Sequence, residues 1–208
     1  MELFAMIFGA IFSVMNPFGT VPIFVGLTKE HNKLKRNKIA FWTSLNVLII
    51  LLISFFVGKF ILLFFGITLN SLKIAGGLII VSSGFALLTG EFNKHKGMKK
   101  DKVKEDIKNR SEISLTPLAI PMIAGPGTIS LLITYNQEYN GLNKIIIILG
   151  AIVLATICIY LILKSSFYIV KTLGASGINA LSRVIGFIVI AIGVEFIISA
   201  VVSIFNVA

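Results

Sequence analysis

The chain has 208 residues, 56% of them hydrophobic and 13% charged, with a mean hydropathy of +0.96. That balance excludes an ordinary soluble domain, in which charged residues make up about a quarter of the chain. Its 19 Lys and Arg against 9 Asp and Glu give a net charge of +10, so the placement of the basic residues has to be explained.

An apolar run of about 20 residues spans the hydrocarbon core as a helix. Six such runs are predicted, at 3–27, 39–65, 72–89, 115–135, 145–163 and 184–207. They are continuous rather than alternating, which favours helices over a barrel. The first run has no basic leader and no small-residue cleavage site after it, so it is expected to be a span rather than a signal peptide. Asn46 in the second run is expected to bridge helices through its amide. Trp42, Tyr135 and Tyr139 are expected at the interfaces, where Lys59, Lys73 and Arg183 would snorkel.

The basic residues fall in three places. Lys29, Lys33, Lys35, Arg36 and Lys38 follow the first run. Lys94, Lys96, Lys99, Lys100, Lys102, Lys104, Lys108 and Arg110 follow the third, and Lys164, Lys171 and Arg183 follow the fifth. With six spans these loops share one side, leaving Lys59, Lys73 and Lys144 on the other. The positive-inside rule makes the basic side cytoplasmic, with both termini outside a cell membrane. This distribution accounts for the charge without a nucleic-acid partner. The stretch 91–112 is the one long polar segment, and is expected to be a basic cytoplasmic linker.

Across that linker the sequence repeats. Pro17 and Pro126 lie 109 residues apart, as do Asn70 and Asn179, and Gly76 and Gly186 lie 110 apart. The expected organisation is therefore a first three-helix repeat at 1–90 and a second at 113–208. With three spans in each, the second half is inverted relative to the first, as in many secondary transporters. Gly76, Gly77, Gly84, Gly186 and Gly193 are expected to let helices approach closely within the chain.

Two of the six runs are interrupted. The first reads Asn16-Pro17-Phe18-Gly19-Thr20-Val21-Pro22, and the fourth reads Pro117-Leu118-Ala119-Ile120-Pro121 and then Ala124-Gly125-Pro126-Gly127-Thr128. Proline removes a backbone donor and clashes with the preceding turn, while glycine permits conformations a helix cannot hold. Such backbone is not stable against lipid and must line protein or a wet cavity. Half-helices are expected to begin near Pro22 and Thr128, presenting N–H groups that suit a carboxylate. Segments ending near Met15 and Ala124 offer carbonyls that suit an ammonium group or a small cation. The substrate-binding candidates are thus Asn16, Pro17, Gly19, Thr20, Ala124, Gly125, Pro126, Gly127 and Thr128. Having no fixed charge, these breaks match a zwitterion. Glu195, central in the sixth run, is expected to carry a coupling proton, to tie helices together, or to act as a direct ligand.

These two motifs, with Ile23-Phe24, Leu27-Thr28 and the Arg183/Gly186/Gly193 pattern of the last run, closely resemble the MarC family of integral membrane proteins over essentially the whole chain. The resemblance implies a six-span transporter, in some members a carrier of small neutral amino acids such as glycine and alanine. The expectation is therefore an all-α membrane protein with broken helices 1 and 4. It would move a small neutral amino acid by alternating access, coupled to protons or sodium ions. The alternative is a cation exporter or channel using the broken-helix carbonyls and Glu195. No nucleophile–base pair marks an enzyme. His31, His95 and the lone Cys158 give no metal site, no cofactor is expected, and the sequence leaves the oligomeric state open.

Overall fold

A computed structural model describes residues 2–90 and 114–206, in which every regular element is a helix. In chain order these are α1 (Glu2–Met15), α2 (Pro17–Thr28), α3 (Lys33–Phe65), α4 (Leu69–Thr89), a π-helix (Ser114–Ile123), α5 (Pro126–Glu138), α6 (Leu142–Lys164) and α7 (Ser166–Asn206). The expected linker at 91–112 lies outside the described residues.

Among the described residues five helical stretches are long and apolar enough to cross a bilayer: Glu2–Thr28, Lys33–Phe65, Leu69–Thr89, Leu142–Lys164 and Ser176–Phe205. The predicted run at 115–135 is divided between the π-helix and α5, so neither piece spans alone. The last helix starts earlier than the predicted 184. Gly174, at φ 63° and ψ 179°, splits α7 into a short arm and the long arm Ser176–Phe205. That backbone lies where side chains are disfavoured and glycine is not.

The core follows helical spacing. Val47, Leu51 and Phe55 of α3 and Ile148, Ile152, Ala155 and Ile159 of α6 are fully buried at intervals of three and four residues. The outer faces are equally apolar, with Ile49, Ile53, Phe56 and Phe60 exposed on α3 and Val184, Phe187 and Ile188 on α7. A helix that is hydrophobic all round belongs in lipid.

The most extensive packing is α4 against α7. Glycines set the distance between them. A Cβ on Gly77 would lie 2.7 Å from Gly193 O, and one on Gly193 would lie 2.8 Å from Gly77 O. Gly84 and Gly186 abut in the same reciprocal way, at 2.7 and 2.9 Å. The small-residue stripe expected from the sequence is thus an intramolecular seam.

Around this seam α2 packs on α7 and α6, and α5 packs on α4 and α3; α1 lies against α6, and the π-helix against α3. The ends of α2, α4 and α6 and the start of α3 form one face, called here the basic face. Arg36 organises it: its guanidinium donates to Thr28 O (3.2 Å) and Lys29 O (3.1 Å) and stacks 3.7 Å from the Phe167 ring centroid. A cation at the carbonyl end of α2 also meets the negative end of the helix dipole.

Candidate functional site

The first break is sharper than the sequence suggested. α1 stops at Met15, and α2 begins at Pro17 rather than near Pro22, which sits inside the helix. Asn16 alone makes the joint, in the left-handed region at φ 43° and ψ 67°. It is the single non-glycine residue with positive φ among those described, and asparagine tolerates that region better than most. Pro17 at the first helical position needs no N–H partner and has its φ already set.

The Asn16 side chain is buried. Its Oδ1 accepts from Gly19 N at 3.3 Å, capping α2, while its Nδ2 has no partner among the described residues. Gly19 is required beside it, because a Cβ there would collide with the Asn16 amide. Thr20 Oγ1 donates to Pro17 O at 2.6 Å, so this hydroxyl proton is turned to the backbone and only its lone pairs stay free. The unpaired Asn16 amide is therefore the donor that the break leaves open in a buried setting.

The second break is wider. The π-helix carries Pro117 and Pro121 and ends with Ala124 N donating to Ala119 O at 2.9 Å, a five-residue step. Widening the turn accommodates a missing donor and a bulky ring. α5 then begins at Pro126, capped only by backbone, with Ile129 N donating to Gly125 O at 3.1 Å. Thr128, expected near the start of this half-helix, is buried within it and directs its hydroxyl toward Ile123 O at 3.5 Å. Gly127 places the two breaks side by side: its Cβ position lies 2.9 Å from Ile80 Cγ1 and 3.6 Å from Val14 Cγ1 of α1. Asn16, Pro17, Thr20, Ala124, Gly125, Gly127 and Thr128 are all buried, whereas Pro126 is exposed.

A cavity of about 280 Å³ opens toward the basic face. Gly19, Pro22 and Val25 of α2 form one wall, and Ile178, Asn179, Ser182 and Arg183 of α7 form another. Leu87, Gly90 and Val170 complete it. Of the candidates read from sequence, only Gly19 reaches this cavity.

The opposite face is tied together by an ion pair. Lys73, expected to snorkel, is instead buried, and its Nζ meets Glu138 Oε1 at 2.5 Å, joining α4 to α5. A lysine starting the second turn of α4 packs under α5, so its charge is met by protein before it reaches an interface. Ser130 Oγ donates to Leu72 O at 3.3 Å in the same seam. Tyr135, expected at an interface, is buried against Tyr139 and Phe196. Beyond the end of α5, burial and then the Glu138 charge push the Tyr139 hydroxyl above its ordinary range.

Neither expected polar bridge lines the cavity. Glu195 is exposed on the outer side of α7, and Asn46 is half-buried on α3. Among the described residues no cluster of His, Cys, Asp and Glu has the makings of a metal site.

A family model described as MarC family integral membrane protein matches residues 1–205. The UPF0056 membrane protein YhcE of Escherichia coli K12 is 34% identical over 95% of this chain and 91% of its own length. A UPF0056 membrane protein of Methanocaldococcus jannaschii is 34% identical over 97% of both chains. The UPF0056 inner membrane protein MarC of Salmonella paratyphi B is 32% identical over 91% of this chain and 89% of its own. No solved structure matches.

Proposed function

The chain belongs to the MarC family of multi-pass integral membrane proteins, and we propose that it is a secondary transporter of small neutral amino acids working by alternating access. The observation that carries this reading is the asymmetry of its two faces. A cavity open at the basic face reaches Gly19 of the first break, while Lys73–Glu138 and the Ser130 seam shut the other face. One end open and the other closed is the arrangement an alternating-access carrier adopts at each end of its cycle.

The crosswise packing supports two inverted three-helix halves. α2 of the first half docks on α6 and α7 of the second, and α5 of the second docks on α3 and α4 of the first. Rocking one half against the other would close the cavity at α2 and open its counterpart at α5. The uncharged breaks, with helix N-termini, the Thr20 hydroxyl lone pairs and the Asn16 amide, suit a zwitterion of glycine or alanine size. By the positive-inside rule the basic face is cytoplasmic and both termini are outside, in the cell membrane. Protons or sodium ions would drive the cycle.

Cysteine accessibility tests the scheme. With Cys158 replaced by serine, Val25→Cys should react with a membrane-impermeant maleimide from the basic face, and glycine or alanine should slow the reaction. Reaction from the opposite face alone, or no effect of any small neutral amino acid, would count against it.

A further inference from the structure

We infer that the basic-face cavity is a docking site for a small carboxylate, held by Arg183 together with Asn179 and Ser182. The inference deepens the carrier reading and rests on its two-halves arrangement.

The three side chains lie at i, i+3 and i+4 on the long arm of α7, so they share one face, and all three line the cavity. The rest of the lining is glycine, proline, valine, leucine and isoleucine. Among the described residues none of the three makes a hydrogen bond or an ion pair within the chain. An exposed guanidinium, an exposed amide and a buried hydroxyl thus line one cavity, without a partner among the described residues. A guanidinium fork matches a carboxylate bidentately, and the adjacent amide and hydroxyl add donors to the same oxygens.

The internal repeat says why this cation has no ion-pair partner among the described residues. Lys73 plus the 110-residue offset is Arg183, and Glu138 minus the 109-residue offset is Lys29. The ion pair that seals one face therefore has as its counterpart two cations, Arg183 and Lys29. Lys29 caps α2 with helical φ and ψ, one turn beyond Val25 on the cavity wall. In one half the protein supplies the carboxylate; in the other no described residue does, and the position suits a ligand. About 280 Å³ with apolar walls admits an anion of a few heavy atoms.

Ligand-observed NMR on the full, detergent-solubilised chain tests this with acetate, glycine, glycinamide and inorganic phosphate as probes. Acetate and glycine should bind, and glycinamide, which lacks the carboxylate, should bind at least tenfold more weakly. Arg183→Gln should weaken acetate tenfold or more, with Arg183→Lys between the two. Among the described residues Arg183 has no polar partner, so thermal unfolding of Arg183→Gln should match the parent; Asn179→Ala gives an independent reading from the same face, with acetate weakened severalfold. Acetate binding unchanged in both Arg183→Gln and Asn179→Ala, or glycinamide equal to glycine, would overturn the site. Phosphate competing better than acetate would overturn the carboxylate assignment. Arg183-dependent acetate binding without glycine transport sustains the site while removing the carrier reading. Glycine transport that survives Arg183→Gln with an unchanged KM does the reverse.

Discussion

Glu138→Gln is the perturbation with the most to say about the closed face. Its carboxylate is the partner of Lys73, whose side chain is 8% exposed against 34% for Glu138. Removing one member of a fully buried pair costs about 3–5 kcal/mol, because the survivor is left charged and unpaired. Exposed pairs contribute only about 0–1 kcal/mol. With one partner buried and the other a third exposed, the loss falls between, at about 1–3 kcal/mol. Because the pair ties α5 to α4, that loss falls on the state closed at this face, so the closed-to-open ratio should drop roughly 5- to 150-fold. Thr134 reports it: it is buried, its hydroxyl has no partner among the described residues, and it lies one turn before Glu138 on α5. In a Cys158→Ser background, labelling of Thr134→Cys by an impermeant maleimide applied opposite the basic loops should accelerate by about that factor in Glu138→Gln. The charge-swapped pair Lys73→Glu with Glu138→Lys should restore most of the protection. An unchanged labelling rate in Glu138→Gln would show that the ion pair does not hold this face closed.

Three further substitutions follow from the breaks and from Glu195. Gly127→Val forces side-chain atoms into Ile80 and Val14, so it should cost about 1–3 kcal/mol of stability, read by thermal unfolding in detergent, and suppress transport. Asn16→Gly keeps the left-handed joint without strain and should unfold within about 1 kcal/mol of the parent; loss of the buried free amide should nevertheless lower uptake, and full uptake would remove Asn16 from the site. Glu195→Gln should leave uptake and its pH dependence unchanged, since the residue faces outward from α7 and does not line the cavity. Loss of pH dependence there would restore Glu195 as a coupling group.

Five of the six apolar runs and the glycine seam were legible because both follow from periodicity and residue size, which act locally. Broken backbone at both interruptions was legible for the same reason, since proline acts on its own turn. Where each half-helix restarts was not. The joint moved from Pro22 to Pro17 because Asn16 adopts the left-handed conformation and caps α2, leaving Pro22 tolerated within the helix. The Lys73–Glu138 pair joins residues 65 apart on different helices, and no local pattern distinguishes a lysine met by protein from one that snorkels. The cavity wall at 178–183 escaped as well, because the turn at Gly174 starts the last helix earlier than its apolar run does. The breaks drew attention through their prolines, while Arg183 read as a snorkelling basic residue and as part of the family pattern, not as part of a site.

Uptake of labelled glycine and alanine into proteoliposomes, with and without imposed proton or sodium gradients, tests the central claim most directly. A carrier predicts saturable accumulation driven by one of the two gradients and abolished by Gly127→Val. No accumulation of either amino acid under any gradient, with the protein folded and inserted, would contradict it.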